Sequence, residues 1–107
     1  SDLNDEYIVI ENLTNDDVNL QDWFIRTERG NRYDITISFT LREDRTVTIW
    51  SKSGVNTTSA IYMGRTEPFW NNIGDCGYLR DDSDDDNVLV DVMCYGTYAD
   101  RILQIKP

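Results

Sequence analysis

Residues 39–50 read Phe39-Thr40-Leu41-Arg42-Glu43-Asp44-Arg45-Thr46-Val47-Thr48-Ile49-Trp50. Two apolar segments flank a short charged turn, and the second ends in a tryptophan. That pattern predicts a β-hairpin. Upstream, Tyr33, Ile35, Ile37 and Phe39 alternate with Asp34, Thr36, Ser38 and Thr40. This is the period-two signature of a strand with one wet face. Further upstream, Tyr7 to Glu11 reads as a strand ended by Asn12. Val18 and Leu20 precede a run from Trp23 to Thr27. Glu28-Arg29-Gly30-Asn31 then makes a turn with glycine where a positive φ is needed. Downstream, residues 51–68 form a long connection with one short strand near Ile61, Tyr62 and Met63. Residues 77–81 and 88–95 form the clearest hairpin, with Val88, Val90, Val92 and Cys94 on one face and Leu89, Asp91 and Met93 on the other. Ile102 to Ile105 is a candidate edge strand.

β-branched and aromatic residues concentrate in these runs, and no sustained 3.6-residue period appears. The expected fold is all-β: a sandwich or barrel of short strands. The expected core comprises Ile8, Ile10, Leu20, Trp23, Ile25, Phe39, Leu41, Val47, Ile49, Leu79, Val88, Val90 and Val92. Trp50 reads as a core tryptophan like Trp23. Trp70 is read as core or as a binding surface at the sandwich edge. With Ile8 and Ile10 inward, Tyr7 and Val9 face outward as a contact surface.

A chain of 107 residues makes one domain, with its core over about 6–95 and a flanking tail over 96–107. Apolar residues make up 39%, enough for a packed core without a metal. The net charge of −10 disfavours nucleic acid and anionic membrane faces as partners of this domain alone. No apolar run approaches the length of a membrane helix. The start at Ser1, without methionine, fits a piece of a longer chain.

The chain has no histidine, so the commonest general base and metal ligand are missing. The carboxylates fall mostly in turns, where water levels their pKa values. No catalytic residue and no cofactor is expected. Two cysteines, Cys76 and Cys94, are too few for a disulfide framework. The 77–95 hairpin brings them close enough to bridge. Reduced, buried thiols are the preferred reading for an intracellular chain.

One charge run stands out: Asp81-Asp82-Ser83-Asp84-Asp85-Asp86. Asp82, Asp84 and Asp86 occupy the first, third and fifth places of a calcium loop. Asn87 and Met93 stand where such a loop needs glycine and glutamate, which rejects an EF-hand. A solvated turn is the plain reading. A weak Ca²⁺ site on Asp82, Asp84 and Asp86, or a dock for a basic partner on Asp81, Asp82, Asp84, Asp85 and Asp86, is the functional one. Asn12-Leu13-Thr14 and Asn56-Thr57-Thr58 fit the N-glycosylation pattern, which matters only in a secreted chain.

Taken in order, several stretches resemble the lamin tail domain. Residues 6–12, Glu6-Tyr7-Ile8-Val9-Ile10-Glu11-Asn12, resemble its first strand, which ends in asparagine. Val18-Asn19-Leu20-Gln21-Asp22-Trp23 is similar to its step into the second strand. Phe39-Thr40-Leu41 with Val47-Thr48-Ile49-Trp50 resembles the hairpin of nuclear lamins and invertebrate cytoplasmic intermediate filaments. Trp70-Asn71-Asn72-Ile73-Gly74-Asp75, followed by Tyr78-Leu79-Arg80-Asp81, is similar to a later segment also found in bacterial members. The resemblance spans roughly residues 6–95. It departs at the turn over 42–45, which lacks the usual glycine, and at the aspartate-rich turn.

The resemblance implies an immunoglobulin-like β-sandwich of about seven to nine short, mostly antiparallel strands. It implies a non-catalytic tail module of an intermediate filament protein, carried after a coiled-coil rod and mediating protein–protein contacts in filament or lamina organisation. A nuclear lamin comes first and a cytoplasmic filament second. The isolated domain is expected to be monomeric and not to insert into membranes. The alternative is an extracellular or cell-surface accessory module of a bacterial secreted protein, binding calcium or carbohydrate. The interaction candidates are Trp70, Tyr7 and the aspartate turn.

Overall fold

The computed structural model describes Leu3 and residues 6–71, 74–95 and 102–107. Asn72, Ile73 and residues 96–101 lie outside the described residues. The strands are β1 (Tyr7–Asn12), β2 (Val18–Asn19), β3 (Trp23–Thr27), β4 (Arg32–Asp34), β5 (Thr40–Leu41), β6 (Thr46–Trp50), β7 (Ala60–Tyr62), β8 (Asp75–Asp81), β9 (Val88–Tyr95) and β10 (Ile102–Ile105). Their order is β10-β1-β6-β7 in one four-stranded sheet and β4-β3-β8-β9 in another, with β2 and β5 forming a small third sheet. The domain is an immunoglobulin-like β-sandwich. Most pairings are antiparallel, while β1–β10 and β6–β7 are parallel.

The predicted hairpin over 39–50 is an arch instead. β5 pairs with β2, whereas β6 pairs with β1 and β7, so the turn carries the chain from one sheet to another. Asp44 holds φ at 59°, the left-handed conformation for which glycine is usual. The turn is tied to the end of β1: Asp44 N–H donates to the Asn12 carbonyl at 2.9 Å, and Asn12 N–H to the Arg45 carbonyl at 3.0 Å. The long strand predicted from Tyr33 to Thr40 is broken for the same reason. β4 ends at Asp34, and the chain leaves its sheet through residues 35–39 before forming β5. Ile35 and Phe39 still reach the core, while Ile37 is exposed.

The inward alternation of β1 and β6 packs Ile8, Ile10, Val47 and Ile49 against Trp23, Ile25 and Leu79 of the opposite sheet. Trp50 differs from expectation. The register sets it beside Tyr7 on the outer face, half-buried. Val88 and Val92 are exposed as well. Leu79 pairs with Asp91 and Arg80 with Leu89, so Val90 is the extra residue of a β-bulge. One extra residue reverses the face of everything beyond it. Met93 and Tyr95 therefore face the core, while Val92 and Cys94 face outward. Ile35, Ile61, Phe69, Tyr95, Leu103 and Ile105 join the core beyond the expected set, while Phe24 is buried on the outer face under Arg32. Leu103 and Ile105 do so because β10 completes the first sheet beside β1, extending the core past residue 95.

Candidate functional site

The aspartate run joins β8 to β9, and its members divide into two groups. Asp81 accepts hydrogen bonds at Oδ1 from Ser83 N–H at 2.9 Å and from Ser83 Oγ at 2.6 Å. Asp82 accepts Asn87 N–H at 3.0 Å. These carboxylates shape the turn, as short acidic side chains do when they take the place of a backbone acceptor. Asp85 N–H closes it on the Asp82 carbonyl at 3.1 Å. Asp84, Asp85 and Asp86 are exposed, and their carboxylates form no hydrogen bond or ion pair among the described residues.

Asp22 and Asp34, distant in sequence, lie beside this turn. With Asp82 and Asp85 they line a shallow hollow of about 250 Å³. Sequence reading missed them because only the β3–β4 and β3–β8 pairings bring them to that end of the sheet. Among the described residues, no group of three or more acidic or cysteine side chains is placed to hold a metal. Of the Ca²⁺ candidates, Asp82 is half-buried, while Asp84 and Asp86 are exposed. Asp82 is turned to the Asn87 backbone, and a calcium ion needs six to eight converging oxygens.

Tyr7 and Trp70 part company. Tyr7 is 42% exposed on the outer face of the first sheet, its ring 5.1 Å from that of Trp50. The pairing continues to Tyr62 on β7, and Lys52 Nζ lies 4.7 Å above the Trp50 ring. Trp70 is only 3% exposed. It packs edge-on against Phe69 and Tyr95, with ring centroids 5.1 Å and 6.0 Å away. Gly77 makes room for it, since a Cβ there would stand 2.7 Å from the Trp70 ring. Trp70 is a core residue and offers no surface to a partner.

Cys76 and Cys94 form a disulfide rather than two buried thiols. The β8–β9 register sets them directly opposite one another on the outer face, with Cα atoms 4.0 Å apart. Of the two glycosylation triplets, Asn12 is fully buried, its Nδ2 donating to the Leu41 carbonyl at 3.0 Å and the Asp16 carbonyl at 2.8 Å. Asn56 is exposed, though its Oδ1 accepts Tyr62 N–H at 2.9 Å. An open cleft of about 1030 Å³ lies between residues 37–46 and 56–59. Arg42, Arg45, Asp17 and several hydroxyls line it.

A comparison with curated proteins returned no match. The family model of the Lamin Tail Domain matches residues 1–97. Those residues hold the strands of both sheets except β10 and include the arch over 39–50. By that match and by its sandwich, the chain belongs to the lamin tail domain family.

Proposed function

We propose that this domain is a non-catalytic globular tail module of an intermediate filament protein, a nuclear lamin or lamin-like chain, mediating protein–protein contacts that organise a filament or lamina. The observation that carries this reading is the family match over residues 1–97. The geometry adds Asp85 beside Asp22 and Asp34, with Asp84 and Asp86 exposed on the same turn. Asp34 is paired with Arg32, while Asp22, Asp84, Asp85 and Asp86 have no ion pair among the described residues, a negative field that favours a basic protein partner. The test removes residues 1–107 from the parent chain and follows assembly by pelleting and electron microscopy. The rod is expected to polymerise while its higher organisation is lost. Normal organisation of the truncated chain would overturn the reading.

One observation favours the second reading, an extracellular accessory module. The Cys76–Cys94 disulfide belongs to oxidising compartments. An unreduced mass measurement on protein from its native source separates the two. A bridged domain supports a secreted parent, and free thiols support a nuclear or cytoplasmic one.

A further inference from the structure

The outer face of the β4-β3-β8-β9 sheet carries arginines in a chain of net charge −10. Arg26 on β3 stands directly opposite Arg32 on β4 and, on its other side, opposite Tyr78 on β8. In the next rung Phe24 pairs with Arg80. Like charges set directly across a strand pair destabilise it. Arg32 relieves part of that cost by bonding Asp34 at 2.8 Å and lying 3.7 Å over the Phe24 ring, which it buries. The nearby Glu28 carboxylate is occupied by the Tyr78 hydroxyl.

Arg26 is exposed and forms no ion pair among the described residues. Arg80 donates Nη1 to the Asn87 carbonyl at 3.1 Å, which holds the guanidinium in place and uses one of its donors. The apolar side of this face continues onto β9 with Val92 at 43% and Leu89 at 46% exposure.

Arg26 and Arg80 are diagonal neighbours across β3 and β8, a relation that spans roughly 7–8 Å. An extended peptide repeats its side chains on one face at about 6.8 Å, two residues of rise. We infer that this face docks an extended acidic peptide segment in which two carboxylates, separated by one residue, pair with Arg26 and Arg80 while flanking apolar side chains rest on Leu89 and Val92. Arginine suits this task because its planar fork meets a carboxylate with two parallel hydrogen bonds. The inference holds whichever parent carries the domain.

The test is fluorescence anisotropy, against the whole domain, of a labelled extended peptide in which two glutamates one residue apart are flanked on the same face by valines, with serines at the intervening positions. Saturable binding is expected. Arg26→Gln, an exposed change that leaves the fold intact, should weaken it on the order of tenfold, and Arg80→Gln should do the same. Arg42→Gln with Arg45→Gln, in the distant cleft, should leave it unchanged. Absence of binding, or equal loss in the cleft variant, overturns the inference. So does a duplex oligonucleotide that binds through the same arginines when the peptide does not. Sedimentation showing a dimer that Arg26→Gln dissociates would assign the face to a second copy, which also overturns it. None of these failures touches the filament reading, because that rests on the family match.

Discussion

The Glu6 carboxylate accepts the backbone N–H of Phe69 at 2.8 Å and that of Trp70 at 3.4 Å, joining residues 63 and 64 positions apart. Glu6 is buried just before β1, and Phe69 and Trp70 lie within the long connection between β7 and β8. The carboxylate takes the place of a strand for that connection, supplying acceptors its backbone would otherwise lack. Charge-assisted bonds of this kind are stronger than neutral ones. Glu6→Ala leaves buried donors without their acceptor and is expected to cost about 2–4 kcal/mol, with Glu6→Gln costing about half as much. Urea denaturation of both variants checks the order. A Glu6→Ala domain as stable as the parent would refute the role.

Asn12 does similar work at the other end of β1. Its Nδ2 reaches Leu41 and Asp16, and its Oδ1 accepts Thr14 N–H at 3.0 Å and Thr14 Oγ1 at 2.7 Å. Every polar atom of the side chain is used in a fully buried position. Asn12→Ala is expected to lose about 2–3 kcal/mol, and Asn12→Asp a similar amount because a carboxylate cannot donate to the two carbonyls. Thermal melting of the two variants beside Thr14→Ala, expected to lose less, provides the check.

Gly77 and Trp70 should behave as a coupled pair. The missing Cβ leaves room for the Trp70 ring, which is buried and held by Phe69 and Tyr95. Gly77→Ala overpacks this contact and is expected to cost about 1–3 kcal/mol. In a Trp70→Phe background the same substitution should cost much less, because the smaller ring withdraws. A double-mutant cycle measures the difference, and simple additivity would exclude the contact as the cause.

Tyr78 and Tyr33 both hold their protons above the ordinary phenol range. The hydrogen bond to Glu28 holds the Tyr78 phenol above its ordinary value of 10.0, helped by desolvation and by the Glu28 charge, against the lowering effect of Arg26 and Arg80. Partial burial raises the Tyr33 phenol as well. A raised folded-state pKa means that the unfolded chain releases its proton first as pH rises. The stabilisation is complete below pH 10.0 and is lost as pH climbs through the folded value. The melting temperature should therefore fall above that pH, and Tyr78→Phe should reduce the fall. Phenolate absorbance against pH, compared between the parent and the Tyr78→Phe and Tyr33→Phe variants, separates these two groups from the other tyrosines.

The first sheet was largely legible in the sequence because β1 and β6 alternate cleanly and bury one face each. What escaped reading was pairing. The segments around Arg42 to Arg45 read as a hairpin because hairpin and arch share the same local pattern, and only long-range partners separate them. The Val90 bulge has no local signature, yet it reverses the faces of β9 and turns Val92 outward. Trp50 reads as core by composition, but its place opposite Tyr7 puts it outside. The aspartate turn was evident as a charge run. Its neighbours Asp22 and Asp34 were not, because nothing local ties them to it. The Cys76–Cys94 contact followed from the predicted hairpin, while the bond itself depends on the facing register.

The proposed role as an interaction module of a filament protein is decided by hydrogen–deuterium exchange on the parent chain, compared between its unassembled and assembled states. Slower exchange on assembly is expected in the turn over 82–87 and in the strand ends beside it, with the core strands unchanged. Identical exchange throughout the domain in both states would contradict it.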